Sequence, residues 1–139
     1  MRVLLDTCVI SEIRHPKGNP KVKAAARAFQ GKESFLSAIT IGELTKGIFA
    51  LRTSRKKLEL SDWLQNIEAM FADRVLPVTR ETATIWGELT VRARRQGHTI
   101  DTSDGLIAAT ALQIGLHVMT RNVSDFAPTG VMILNPWKE

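Results

Sequence analysis

The stretch SDGLIAATALQIGLHVMT, residues 103–120, decides the fold class of this chain. Its first part, Ser103–Gln113, is apolar almost all round, which predicts a buried helix. Gly115 ends that helix, and the apolar run Val118–Thr120 predicts a short strand. A buried helix that leads directly into an apolar strand is typical of α/β domains built around a parallel sheet.

The same alternation of strands and helices extends along the rest of the chain. The predicted strands are Arg2–Leu5, Ser34–Ser37, Val75–Val78, Val118–Thr120 and Val131–Leu134. The predicted helices are Val9–His15, Lys21–Gln30, Ile41–Leu51, Leu60–Phe71, Thr79–Gln96 and Ser103–Gln113. All five prolines fall at or beside predicted element ends. Because 139 residues suit one core, we expect one α/β domain over residues 1–139.

The composition is that of an ordinary globular protein, with 44% hydrophobic residues. The single cysteine, Cys8, excludes an internal disulfide and fits a reducing compartment. The apolar run after Met1 stops at Asp6, so no signal peptide is expected. No run reaches the ~18 apolar residues that a membrane helix needs. We therefore expect a cytoplasmic protein with no membrane association.

The formal charge of +5 favours a polyanionic partner, because basic residues neutralise phosphates and release counterions. The basic residues cluster, and the candidates for RNA contact are Arg55, Lys56, Lys57, Arg92, Arg94, Arg95 and Arg121. A solvated helix face or helix end explains the two clusters equally well. Trp63, Trp86 and Trp137 are candidates for base stacking, although core packing is the favoured role of Trp63 and Trp86.

Four carboxylates occupy positions where α/β proteins form sites. Asp6 directly follows the first strand, and Asp125 lies five residues beyond the fourth. Asp104 lies in the first turn of the buried helix, and Glu43 lies at the edge of an apolar helical stripe. Because sites in parallel sheets form beyond the carboxyl ends of the strands, we expect the four to gather. Taken singly, each has a structural explanation as a helix cap, a solvated side chain or a turn residue.

Four gathered carboxylates indicate a metal ion. Pairs within about 6 Å repel by about 3 kcal/mol at an effective dielectric constant near 20, so a cation must lie between them or some must protonate. An all-oxygen set suits Mg²⁺, with Mn²⁺ as the alternative, whereas zinc favours nitrogen or sulfur ligands. On a basic protein, a carboxylate-held Mg²⁺ indicates phosphodiester hydrolysis.

Each candidate residue has an expected role in that reaction. Asp6, Asp104 and Asp125 are predicted to bind the metal directly or through water. Glu43 is predicted to be a further ligand or to orient the attacking water. Thr120 and Asn122 are predicted to hydrogen-bond the acids or a phosphate.

Five segments together resemble the VapC toxins, the PIN-domain members of toxin–antitoxin pairs. The segments are LDTCVISE (5–12), IGEL (41–44) with Gly47, DGLIAATA (104–111), TRNVSDF (120–126) and NPW (135–137). The resemblance implies a PIN-like three-layer α/β/α fold with a central five-stranded, mostly parallel sheet. It also implies a Mg²⁺-dependent endoribonuclease, a homodimer, and a VapB-type antitoxin through which alone the toxin contacts operator DNA. The four acidic positions of the family fall on Asp6, Glu43, Asp104 and Asp125, with Thr7, Thr120 and Asn122 as supporting polar residues.

Two residues depart from the family pattern. Cys8 stands where the family often has asparagine, and Gly105 stands where alanine is usual after the acid. Asp101 is an additional acid near the site, expected to be a loop or cap residue, with an effect on metal binding as the alternative.

The residues after the first strand argue against two other functions, and a third stays open. Haloacid-dehalogenase-like phosphatases need a second aspartate two residues after the first, where Cys8 stands here. Dinucleotide binding needs a glycine-rich turn after the first strand, which this sequence lacks. The alternative that stays open is a non-catalytic, nucleic-acid-associated PIN-like binding module that acts with a partner protein.

Overall fold

The computed structural model describes residues 1–29 and 31–138. Within them, five strands form one parallel sheet in the order β3-β2-β1-β4-β5. The strands are β1 Val3–Leu5, β2 Ser34–Ser37, β3 Val75–Leu76, β4 His117–Met119 and β5 Ile133–Leu134. The helices are α1 Thr7–Arg14, α2 Pro20–Ala28, α3 Ala38–Phe49, α4 Arg55–Phe71, α5 Arg80–Arg95, α6 Thr102–Ile114 and α7 Val123–Phe126.

The central strand β1 is buried on both faces of the sheet. Side chains alternate along a strand, so Val3 and Leu5 pack into one apolar cluster with α1 to α4. Leu4 packs into a second cluster on the opposite face, with Leu89 of α5 and Ile107 of α6. The two clusters enclose the sheet between helices, which confirms the predicted three-layer α/β/α architecture.

Caps and turns connect the strands and helices at the two edges of the sheet. Asp6 caps α1 immediately after β1, and Ser37, the last residue of β2, caps α3. Helix α6 ends at Gly115, whose φ of 74° lies in the left-handed region that glycine favours. The carboxyl ends of β1, β2 and β4 therefore lead into the segments that carry Thr7, Glu43 and Asp125.

The predicted elements are confirmed, and most differ from the observed ones only in their bounds. The third strand ends at Leu76 rather than Val78, because Pro77 lacks the N–H that a sheet ladder requires. The sheet is entirely parallel rather than mostly parallel, and the short helix α7 was not predicted. Gln30, the predicted end of the second helix, and Glu139, the predicted end of the domain, lie outside the described residues. Among the described helices, none has the length and apolar character needed to cross a bilayer.

Candidate active site

Asp6 is a buried carboxylate at the carboxyl end of β1, with only 3% of its surface exposed. Its Oδ1 accepts a hydrogen bond of 2.8 Å from the backbone N–H of Thr7. Its Oδ2 accepts one of 2.7 Å from the hydroxyl of Thr120, which follows β4, the strand beside β1. A buried charge needs such partners, and they hold both carboxylate oxygens in place.

Glu43 is connected to this carboxylate through Thr7. The hydroxyl of Thr7 donates to Glu43 Oε1 at 2.6 Å and lies 3.2 Å from the hydroxyl of Thr40. Glu43 is half-buried on α3 and lines a cavity of about 260 Å³ together with Thr7. Thr40 is fully buried and was not singled out in the sequence, because its role depends on a contact between distant segments.

Asp104 lies in the first turn of α6 and is half-buried. Burial makes the largest contribution to a pKa that is raised from 3.8 to about 6, and the charges of Asp6, Asp101, Asp125 and Glu43 contribute the rest in that order. The carboxylates therefore share one electrostatic neighbourhood although they come from distant parts of the chain. Each of these charges makes ionisation of Asp104 more costly.

Asp125 belongs to the exposed first turn of α7. Its backbone N–H donates to the carbonyl of Asn122 at 3.1 Å. The N–H of Asn122 in turn donates to the hydroxyl of Thr120 at 3.0 Å. The loop that carries Asp125 is therefore connected by hydrogen bonds to the same threonine that binds Asp6.

The donor set suits a hard divalent cation. All four candidate ligands offer carboxylate oxygens, the atoms that Mg²⁺ and Mn²⁺ prefer. Within residues 1–29 and 31–138, no three acidic, histidine or cysteine side chains lie close enough to bind one ion together. Mg²⁺ keeps several waters and is commonly held by only one or two carboxylates. The open arrangement therefore fits a largely hydrated ion.

Cys8 lies between Asp6 and Thr120. Its sulfur is 3.6 Å from Asp6 Oδ2 and 3.6 Å from the Thr120 hydroxyl. Burial raises the pKa of the Cys8 thiol and the charge of Asp6 adds to this, whereas a backbone hydrogen bond with Arg121 lowers it. The thiol is therefore a weak hydrogen-bond donor to Asp6, at the position where the family often has asparagine.

Gly105 has a packing role that explains its departure from alanine. A Cβ on this residue would lie 2.8 Å from Cδ1 and 3.0 Å from Nε1 of Trp86 on α5. The indole thus lies against the first turn of α6, next to Asp104. Trp86 packs at the border of the second apolar cluster, in keeping with the core role favoured from the sequence.

The basic candidates fall in three places. Arg55, Lys56 and Lys57 begin α4, where Lys57 Nζ donates to the carbonyls of Phe49 and Leu51. Lys57 therefore has a structural role at the end of α3. Three exposed arginines lie in the last turn of α5, namely Arg92, Arg94 and Arg95. Exposed Arg121 directly follows Thr120, beside the acids.

A family model for the PIN domain matches residues 3–127. The chain therefore belongs to the PIN-domain family. It is 39% identical over 138 residues to Toxin FitB of Neisseria gonorrhoeae, covering 99% of each chain. It is 34% identical over 137 residues to VapC ribonuclease Y4jK of Sinorhizobium fredii, covering 98% of each. The crystal structure of FitAcB from Neisseria gonorrhoeae superposes with a TM-score of 0.93 and 39% identity, covering 99% of each chain.

Proposed function

We propose that this PIN-domain protein is the ribonuclease toxin of a toxin–antitoxin pair and cuts RNA with a metal ion bound at Asp6, Glu43, Asp104 and Asp125, by one or two of them directly and by the others through water. The observation that carries the proposal is the set of hydrogen bonds that connects Asp6 to Glu43 through Thr7 and to the Asp125 loop through Thr120. The raised pKa of Asp104, caused by burial and by the other acids around it, agrees with this arrangement. A site that gathers uncompensated negative charge favours a divalent cation. The ribonuclease and toxin names of the two relatives support the same function.

The proposed ion is Mg²⁺, with Mn²⁺ as a substitute. When bound, it acidifies the attacking water and stabilises negative charge on the phosphorane-like transition state and on the leaving oxygen. Asp6, Asp104 and Asp125 bind it directly or through water. The hydrogen bonds of Thr7 and Thr120 keep Asp6 in one orientation, which reduces the reorganisation needed during reaction.

Glu43 and two polar side chains complete the proposed machinery. Glu43, oriented by the hydroxyl of Thr7, is a further ligand or accepts a hydrogen bond from the attacking water. Asn122 is exposed beside Thr120, and its amide suits a phosphate oxygen of the RNA. RNA contact by the basic residues of α4 and α5 belongs to the same proposal.

The proposed partners follow from the family. A VapB-type antitoxin neutralises the protein, and operator DNA is contacted only through that antitoxin. Two copies of the chain form a homodimer, each a single PIN domain over residues 1–139. The protein acts in the cytoplasm, where its RNA substrate is found, and not at a membrane.

Purified free protein should cut single-stranded RNA in Mg²⁺ or Mn²⁺ and should stop when EDTA removes the ion. Sequencing of RNA ends after brief expression would identify the cleavage sites. Co-expression with the product of the neighbouring small reading frame should suppress cleavage. A folded protein that leaves RNA intact at every divalent ion tested would contradict the proposal.

A non-catalytic binding module is the rival that the family resemblance leaves, and it is not favoured. Such a module has no need for several acids whose charges raise the pKa of Asp104. It predicts RNA binding that is equal with and without a divalent ion.

A further inference from the structure

Two arginine–tryptophan pairs lie close to the acids. In the first, the guanidinium carbon of Arg121 is 5.4 Å from the ring centre of Trp137. In the second, that of Arg14 is 5.9 Å from the ring centre of Trp63. Both distances fall within the range of cation–π contacts. All four side chains except that of Arg121 are half-buried, and Arg121 is exposed.

Chain connectivity puts the two pairs on opposite sides of Asp6. Arg121 follows Thr120, the residue that binds Asp6 Oδ2. Trp137 lies three residues beyond β5, and its backbone N–H donates to Asn135 Oδ1 at 3.0 Å. This pair therefore lies on the β4–β5 side of β1.

The second pair lies on the side of Glu43. Arg14 and Trp63 line a cavity of about 260 Å³. Two site residues, Thr7 and Glu43, line the same cavity. This cavity therefore opens beside the acids and joins a carboxylate, a cation and an aromatic ring, the three kinds of group that contact ribose, phosphate and base in single-stranded RNA.

A guanidinium that stacks on an aromatic ring uses its face and leaves its N–H donors at the edge. Those donors match the oxygens of a phosphate in bidentate geometry. The site itself is acidic and repels the phosphates that flank the bond to be cut. Cations held firmly on either side of the acids oppose that repulsion.

We propose that the two pairs, Arg14–Trp63 and Arg121–Trp137, hold RNA nucleotides on the two sides of the scissile phosphate. Each arginine binds a flanking phosphate and each tryptophan supports the neighbouring base or sugar. The inference rests on the proposed ribonuclease function and adds the course of the RNA strand across the site.

The test compares conservative variants in steady-state cleavage of a short single-stranded RNA. Arg14→Lys and Arg121→Lys keep the charge but lose the planar stack and the bidentate donors. Trp63→Phe and Trp137→Phe keep a ring in the apolar cluster that both residues adjoin. The matched control is Arg2→Lys, since Arg2 stacks on Phe35 at 5.9 Å but lies at the amino-terminal edge of the sheet.

We expect KM to rise by about three- to tenfold in each of the four variants, in the lower part of the effects measured for stacked bases. The value of kcat should change little, and Arg2→Lys should match the parent. Circular dichroism and the thermal midpoint check that each variant folds, and the two lysine variants suffice if a tryptophan variant does not.

Equal KM values in Arg14→Lys, Arg121→Lys and Arg2→Lys would overturn the inference while RNA cleavage by the parent keeps the proposed function. An increase at only one pair would overturn the two-sided arrangement. Loss of antitoxin affinity in both lysine variants with unchanged KM would assign the pairs to the protein partner instead. A parent protein that does not cut RNA would reject the function itself.

Discussion

Asp6 and Asp104 belong to one site, but the structure holds them in different ways. Asp6 is buried and its two oxygens accept hydrogen bonds from Thr7 and Thr120. Asp104 is half-buried in the first turn of α6. Burial and, after it, the charges of neighbouring acids raise its pKa to about 6. Asp101 is the N-cap residue of α6, and within the described residues its side chain makes no capping hydrogen bond. Packing of Trp86 on Gly105 positions that turn instead.

The difference shows that Asp6 and Asp104 contribute to the site in different ways. Hydrogen bonds orient the Asp6 carboxylate in the metal-free protein. The turn that carries Asp104 packs against Trp86. The negative charge of Asp104 is unfavourable there, and a bound cation would lower that cost. Both carboxylates should therefore be needed for RNA cleavage. Neutralising one or the other, however, should change the stability of the metal-free protein in opposite directions.

The largest expected effect is the loss of RNA cleavage when either carboxylate is neutralised. Asp6→Asn and Asp104→Asn should each lower kcat by about 100-fold or more, because each removes a charged ligand of the catalytic ion. Rates are measured on one RNA oligonucleotide at saturating Mg²⁺, with folding checked by circular dichroism. A folded variant that keeps a tenth of the parent rate would remove that residue from the metal site.

A larger residue at position 105 tests whether packing positions the turn that carries Asp104. Gly105→Ala should lower the free energy of unfolding by about 1–3 kcal/mol, because the new Cβ overlaps the packed edge of Trp86. The double variant with Trp86→Phe should recover part of the loss. Urea denaturation of the single and double variants measures both values.

The control for this experiment is Gly87→Ala on α5, where an added Cβ meets nothing within 4 Å. That change should leave stability unchanged or raise it by up to about 1 kcal/mol, from helix propensity alone. If Gly105→Ala changes the free energy of unfolding no more than Gly87→Ala does, Trp86 does not hold the first turn of α6 in place. The proposed contrast between Asp6 and Asp104 would then be wrong.

Neutralising the two acids should shift stability in opposite directions in EDTA. The pKa of Asp104 is raised from 3.8 to about 6, so the folded protein binds this proton more tightly than the unfolded chain. The resulting stabilisation is complete below about pH 4 and is lost as pH rises through about 6. At pH 7, Asp104→Asn should therefore stabilise the metal-free protein, by about 1 kcal/mol after allowance for solvent screening.

Asp6→Asn should instead destabilise the metal-free protein by about 1 kcal/mol, because its amide N–H₂ replaces an oxygen that accepts from Thr120. Thermal midpoints at pH 4 and pH 7 measure both variants. Stabilisation of Asp104→Asn that persists at pH 4 would show that charge is not its cause.

The sequence predicted what depends on local patterns. Apolar runs predicted the strands, and an acid at the end of β1 or in the first turn of α6 marked the candidate site. The packing of Trp86 on Gly105 was not predictable, because residues 19 positions apart meet only once α5 and α6 pack together. The contact between Thr7 and Thr40, and the role of Lys57 at the end of α3, were missed for the same reason. Helix α7 has only four residues, too few for a periodic signal.

The smallest expected effect concerns Cys8, the residue that departs from the family near Asp6. Its thiol is a weak donor at 3.6 Å from Asp6 Oδ2, whereas the Thr120 hydroxyl binds the same oxygen at 2.7 Å. Cys8→Asn should therefore change kcat by less than about threefold, since the stronger hydrogen bond stays. Thr120→Val, which removes that bond while keeping the shape, should lower kcat by about tenfold. Equal losses in the two variants would mean that the thiol contributes as much as the hydroxyl to the orientation of Asp6.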